Sequence, residues 1–143
     1  MQVSRSDRPI DPLLFDWPDE TPLLKCSVCQ QCGALAFPKN KSCGACGSEN
    51  VIAQTLPSEG RLWTYTIQHF MPKAPYSSSE TAETFRPFAI GYVELPGALR
   101  IETRIPLDDG KPLAIGMAMA LDFYVHRIEA DGTQVINYQF RAL

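Results

Sequence analysis

Histidine is scarce in this chain: only His69 and His126 occur in 143 residues. Neither has a cysteine, serine or carboxylate at a local spacing that would assemble a nucleophile with its base. No glycine-rich loop of the phosphate-cradling kind is present. No apolar run approaches the roughly 18 residues of a membrane-spanning helix, so no membrane partner is expected. The opening residues, Met1 to Arg8, are polar and lack the apolar centre of a secretory signal. Together with unpaired thiols, that predicts a cytoplasmic protein. Basic stripes are missing too. The net charge is −3 and the lysines and arginines are dispersed, which argues against a nucleic-acid partner, whose phosphates need a concentrated positive field.

What the chain does have is a cysteine pattern. Cys29-x2-Cys32-Gly33 is followed by Cys43-x2-Cys46-Gly47, with ten residues between Cys32 and Cys43. Two thiolates two residues apart on a tight turn can bite one metal ion, and a second such turn completes a tetrahedral site for zinc. The glycine after each pair suits a turn that needs a positive φ and an N–H directed at sulfur. Cys26-x2-Cys29 is a rival first pair, but no glycine follows Cys29. Cys26 is therefore read as a free thiol or a small packed hydrophobe. Five cysteines are an odd number, and paired C-x2-C spacing suits a metal better than disulfides. The expected cofactor is one structural zinc on Cys29, Cys32, Cys43 and Cys46. With all four thiolates engaged it keeps no open position for activating water.

Three stretches follow from composition. Residues 1–22 form an arm with Pro9, Pro12, Pro18 and Pro22, which no long helix survives. It carries Leu13, Leu14, Phe15 and Trp17, which either fold back on the chain or dock on a partner subunit. Residues 23–56 form a rubredoxin-like zinc ribbon, with Ala34 to Phe37 as one short strand and Val51-Ile52 opening another. Such a ribbon buries too little to fold without its metal. Residues 57–143 read as β. Strands are expected from about residue 60, over Phe88 to Leu95, Leu99 to Ile105, Met117 to Arg127 and Thr133 to Phe140. Pro96-Gly97 and Asp131-Gly132 are turns between neighbours, and Asp108-Asp109-Gly110-Lys111-Pro112 is a solvated turn. Five short, mostly antiparallel strands predict a small closed barrel of the OB type. The class is thus mainly β. Met71 to Pro87 is its one long irregular loop, of the kind that binds something or is disordered.

The run Cys29-Gln30-Gln31-Cys32-Gly33, Phe37-Pro38, Cys43-x2-Cys46-Gly47 resembles the zinc-ribbon plus OB-fold family of acyl-CoA-associated accessory proteins. Gly60-x2-Trp63-Thr64-Tyr65-Thr66, Pro87 to Leu95 and Ile115-Gly116-Met117 continue the resemblance through the barrel, so that it covers roughly residues 23–143. The proline-rich arm departs from it, since family members often begin with helical segments. The resemblance implies a non-catalytic companion of a thiolase-like enzyme. It would bind the enzyme subunit as a hetero-oligomer and shape or shield the acyl-CoA channel, the nucleophile belonging to the partner. A CoA thioester at the shared interface is a further expectation. Phe15, Trp17, His69, Lys73 and Arg86 are the candidate partner or ligand contacts; Lys39 and Lys41 are further candidates for CoA phosphates. The alternative is a single-stranded nucleic-acid-binding protein, with Trp63, Tyr65 and Tyr92 stacking bases and Lys39, Lys41, Arg61, Arg100 and Arg104 meeting phosphates.

Overall fold

Residues that alternate between apolar and polar become strands with one buried face, and this alternation organises most of the chain. The computed structural model describes residues 7–76, 78–97, 99–107 and 112–143. Ser77 of the long loop and the turn residues Asp108 to Lys111 lie outside them. The described residues form nine strands: β1 (Arg8–Pro9), β2 (Lys25–Cys29), β3 (Leu35–Ala36), β4 (Val51–Thr55), β5 (Glu59–Gln68), β6 (Phe88–Leu95), β7 (Leu99–Pro106), β8 (Ala118–Ile128) and β9 (Gln134–Ala142). No helix among them is long and apolar enough to cross a membrane.

The last five strands are the barrel, and their bounds lie close to those expected from alternation. β5 pairs antiparallel with both β6 and β8, β6 with β7, and β8 with β9. Along β7, Ile101, Thr103 and Ile105 point into the core while Arg100 and Glu102 are exposed. Asp131-Gly132 turns β8 into β9, with Gly132 at φ +89° and the Asp131 carboxylate accepting from the Thr133 N–H at 2.9 Å.

Closure differs from the expected continuous ladder. Among the described residues the sheet runs β1-β9-β8-β5-β6-β7, with β7 at one end. The seam between β7 and β9 is held by side chains. Arg104 Nη1 donates to Gln139 Oε1 at 2.7 Å, and the Tyr138 hydroxyl donates to the Glu102 carbonyl at 2.7 Å. The barrel is therefore partly open along one line. β1 covers the outer edge of β9 in parallel, at Arg8↔Val135 and Pro9↔Ile136.

The arm folds back. Phe15 is fully buried, with its ring 4.9 Å from Phe123 and 6.5 Å from Trp17. Trp17 packs on the same core, 5.2 Å from Phe123. Of the two readings of these aromatics, the fold takes the internal one, which corrects Phe15 as a partner contact. The cause is supply of partners: the barrel core around Met119, Ile136 and Phe140 has an open flank that Phe15, Leu24 and Leu56 complete. Backbone bonds hold the arrangement, Lys25 N to Leu14 O and Leu56 N to Leu24 O, both 2.8 Å.

β2, β3 and β4 form a second, three-stranded sheet in the order β3-β2-β4. β2 is a strand that the sequence reading did not mark, because Lys25 to Cys29 has no simple alternation. Cys26 and Ser27 are both buried there. The Ser27 hydroxyl is satisfied by accepting from the Asn40 N–H at 3.1 Å.

Close approach within the barrel is enforced at Gly91. A Cβ there would lie 2.4 Å from the Thr64 carbonyl oxygen, a backbone atom that cannot move aside. Gly91→Ala is therefore expected to destabilise the fold by about 3 kcal/mol through overpacking. A urea midpoint lowered in proportion checks this; an unchanged midpoint would show that β5 and β6 are not held at this spacing.

Candidate functional site

Two features concentrate chemistry: a cluster of four thiols and a cleft on the barrel's outer face.

The thiols come from two equivalent knuckles. Gly33 and Gly47 take φ of +79° and +77°, as the glycine spacing requires. Their N–H groups donate to the carbonyls of Cys29 and Cys43, each at 2.8 Å. The N–H groups that reach sulfur come instead from Cys32, to Cys29 Sγ at 3.5 Å, and Ala45, to Cys43 Sγ at 3.4 Å. Cys29 Sγ lies 3.6 Å from Cys46 Sγ, Cys32 Sγ lies 3.6 Å from Cys43 Sγ, and all four sulfurs fall within 4.8 Å of one another. Four sulfurs about 2.3 Å from one ion would be separated by about 3.8 Å. The donor set and its spacing thus fit a tetrahedral thiolate metal such as zinc.

Proton sharing follows the same pairing. The Cys32 N–H holds the Cys29 thiol down at about 6, and the Cys46 N–H lowers Cys43. The Ala34 N–H favours the Cys32 thiolate, but donation to Cys43 and Cys46, desolvation and donation to Cys29 together outweigh it, and Cys32 is pushed up to about 12. One sulfur of each knuckle is thereby shifted toward the thiolate. Cys26 stands apart from the cluster. It is fully buried in the hydrophobic core and its thiol is raised by desolvation.

The cleft measures about 810 Å³ and is bounded by the ribbon, the long loop and strands β6 to β9. Phe37 and Pro38 of the ribbon form one wall, Pro72 and Tyr76 of the loop another. Its floor carries Phe88, Tyr124 and Tyr138. The Phe37 ring meets the Tyr138 ring edge-on at 5.8 Å, which joins ribbon to barrel. Desolvation raises the phenols of Tyr76, Tyr124 and Tyr138, the last to about 12, so all three remain neutral near pH 7. His126 enters the cleft at a bulge in β8, where the register shifts between Val125 and Arg127. An extra residue of this kind re-aims a side chain without changing the strand. The Tyr76 and Tyr124 rings flank His126 edge-on, at 5.9 and 6.1 Å.

The sequence candidates divide around these features. Cys29, Cys32, Cys43 and Cys46 are brought together. Phe15 is internal, and Trp17 packs against it. Lys73, Arg86 and His69 are exposed and do not line the cleft, nor do Lys39 and Lys41. The cleft's cations are Arg100 and Arg104, and its histidine is His126. The long loop does wall the cleft, and it is anchored to the barrel where the Ile128 N–H donates to Ser79 Oγ at 2.8 Å. Alternation read Arg100, Glu102 and Arg104 as a wet strand face. The missed signal is the cross-strand register of Glu102 with Tyr92 and of Arg104 with Ile90, which puts them beside residues that also line the cleft.

Comparison with known proteins places the chain among relatives. The model of the ChsH2 C-terminal OB-fold domain matches residues 53–124. The benzoylsuccinyl-CoA thiolase subunit BbsA of Thauera aromatica is 29% identical over 129 residues, 85% of this chain and 78% of that one. A DUF35 domain-containing scaffold protein of Methanocaldococcus jannaschii is 29% identical over 115 residues, 79% of this chain and 75% of that one. Among solved structures, the Ltp2-ChsH2(DUF35) aldolase superimposes with a TM-score of 0.62 at 22% identity, covering 84% of each chain. That last likeness speaks for the fold alone.

Proposed function

This chain belongs to the ChsH2/DUF35 zinc-ribbon and OB-fold family, and from that premise we propose that it is a non-catalytic accessory subunit of a thiolase-like acyl-CoA enzyme. It assembles with the catalytic subunit and completes the wall of the channel that receives the acyl-CoA. The observation that carries this reading is the likeness to a thiolase subunit along most of the chain, ribbon and barrel together.

The chain's own chemistry supports an accessory role. The cleft is lined, among the described residues, by neither cysteine nor serine. Its one threonine, Thr103, has its hydroxyl engaged with the Arg104 carbonyl at 2.8 Å. Acyl transfer needs a nucleophile beside a base, and the partner would supply both. Cys29, Cys32, Cys43 and Cys46 would hold zinc. When bound, the ion supplies cross-linking of the two knuckles, since four thiolates fill a tetrahedral site. The ribbon so fixed keeps Phe37 and Pro38 against the barrel, which sets the width of the cleft.

Co-elution tests the proposal. The chain mixed with the thiolase-like subunit of its own source is expected to run as one larger species in size-exclusion chromatography. Thiolysis should require the mixture, and the isolated chain should turn over nothing. Trp63 and Arg100, stacked at 3.8 Å on the outer barrel face, give the nucleic-acid reading its one structural support. Failure to co-elute, combined with salt-dependent binding of a single-stranded oligonucleotide, would decide for that reading.

A further inference from the structure

We infer that the cleft is a binding site for a small organic anion carrying a flat ring, with Arg104 as the seat of the anionic group. The guanidinium of Arg104 lies over two aromatic rings, 4.7 Å from the centre of Phe88 and 4.6 Å from that of Tyr124. Two rings packed against the guanidinium strip water from it and leave its donor edge as the place where a ligand can be met.

That edge is prepared. Asp122 Oδ2 accepts from Gln139 Nε2 at 2.8 Å, which turns the other end of the buried Gln139 amide, Oε1, toward Arg104. Arg104 Nη1 donates to it at 2.7 Å. The contact fixes the guanidinium and uses one of its five donors without neutralising it. Among the described residues no carboxylate is within ion-pair distance of Arg104. Glu80 lines the adjoining pocket with it, but that carboxylate accepts from the Tyr76 hydroxyl at 3.5 Å, the Ser78 hydroxyl at 3.2 Å and the Arg86 N–H at 3.3 Å. A positive charge held rigid, half-buried and lacking a counter-ion favours an anion from outside, and a bidentate one best.

The ring requirement comes from what surrounds the charge. Tyr76, Tyr124 and Tyr138 are neutral phenols, and with Phe37 and Phe88 they offer flat apolar surface on several sides of the anion seat. A ring gains further from such walls, stacking on them or meeting them edge-on. Arg100, the cleft's other cation, is different in kind. It is exposed, lies over Trp63 and already pairs with Glu94 at 3.0 Å.

A carboxylate and a phosphate share the chemistry that Arg104 recognises. Two probes separate them: phenylsuccinate, a ring with carboxylates, and adenosine 3′,5′-bisphosphate, a ring with phosphates. That the natural anion is part of an acyl thioester rests on the proposed function; the seat itself does not, so the isolated chain suffices. Calorimetric titration of the wild type is expected to saturate with one of these two probes. Succinate, which lacks the ring, should bind about tenfold more weakly or worse. Arg104→Gln should weaken the saturating probe roughly tenfold or more, while Lys41→Gln, at an exposed position outside the cleft, leaves it within about twofold. Because Arg104 also braces the barrel seam, a measurement on wild type stands beside the variant: its guanidinium Nε–H resonance should shift on saturation. Absence of saturation by both probes overturns the inference. So does equal binding of succinate and phenylsuccinate, undiminished binding by Arg104→Gln, or an unmoved Arg104 resonance. Loss of co-elution with a thiolase-like subunit alongside intact anion binding would refute the accessory reading alone.

Discussion

Cys43→Ser is expected to abolish stoichiometric metal binding and to unfold the ribbon. Cys43 Sγ sits 3.6 Å from Cys32 Sγ and is buried, so no neighbouring donor can take its place. A structural tetrathiolate site contributes on the order of 10 kcal/mol to the folding of the segment that holds it. β3 has only two residues and little apolar surface with which to offset such a loss. Elemental analysis should fall from one metal per chain to near none, and limited proteolysis should open the segment between β2 and β4 first. The comparison variant is Cys26→Ala. Cys26→Ser is a poor one, because Cys26 is fully buried and a hydroxyl there costs about 1–3 kcal/mol without any bearing on metal. Full metal in Cys43→Ser with loss in Cys26→Ala would move the site to the other register.

Phe15→Ala is expected to lower stability by about 3–5 kcal/mol, the usual loss for a fully buried aromatic. In a chain of this size that is on the order of 10 °C in melting temperature. Phe15 belongs to the same core cluster as Leu62, Met119 and Phe140, so the cavity would open inside the barrel and not in a peripheral arm. Trp17 and Phe123 would each lose a ring contact. Trp17 carries a further cost already, since its indole Nε1–H is buried and has no partner among the described residues. Denaturant unfolding followed by tryptophan fluorescence reads the effect directly. A loss below about 1 kcal/mol would mean that the arm leaves the barrel in solution.

The metal cluster was legible in the sequence because its geometry is local. Two residues between thiolates fix a turn, and a glycine after each turn accepts the positive φ that the turn imposes. Only the target of the glycine N–H groups was misjudged, carbonyl instead of sulfur. The barrel strands were legible for a similar reason. β7 alternates strictly, and a period of two needs no distant partner to be recognised.

The fate of the arm was not legible. Leu13, Leu14, Phe15 and Trp17 are apolar whether they cover their own core or a partner's, and hydrophobicity carries no address. The structure decides for the chain's own core at Phe15 and leaves Leu13 exposed at 58%. The cleft was likewise beyond local pattern. His69 and His126 look alike in sequence, each within a β pattern. The bulge between Val125 and Arg127 directs His126 into the cleft, and no residue type at that point announces it. Arg104 reads as one more solvated charge on a wet strand face until Phe88, Tyr124 and Gln139, from three other strands, close around it.

By itself, then, the sequence determined the thiol cluster, the five barrel strands with their turns, and the family resemblance, all of which depend on residues close together along the chain. Only the tertiary structure decided which aromatics are core, which histidine and which arginines meet in the cleft, and how the barrel seam is closed. Those outcomes depend on register, bulges and side-chain contacts between strands far apart in sequence, and their energies exist only once the sheet has formed.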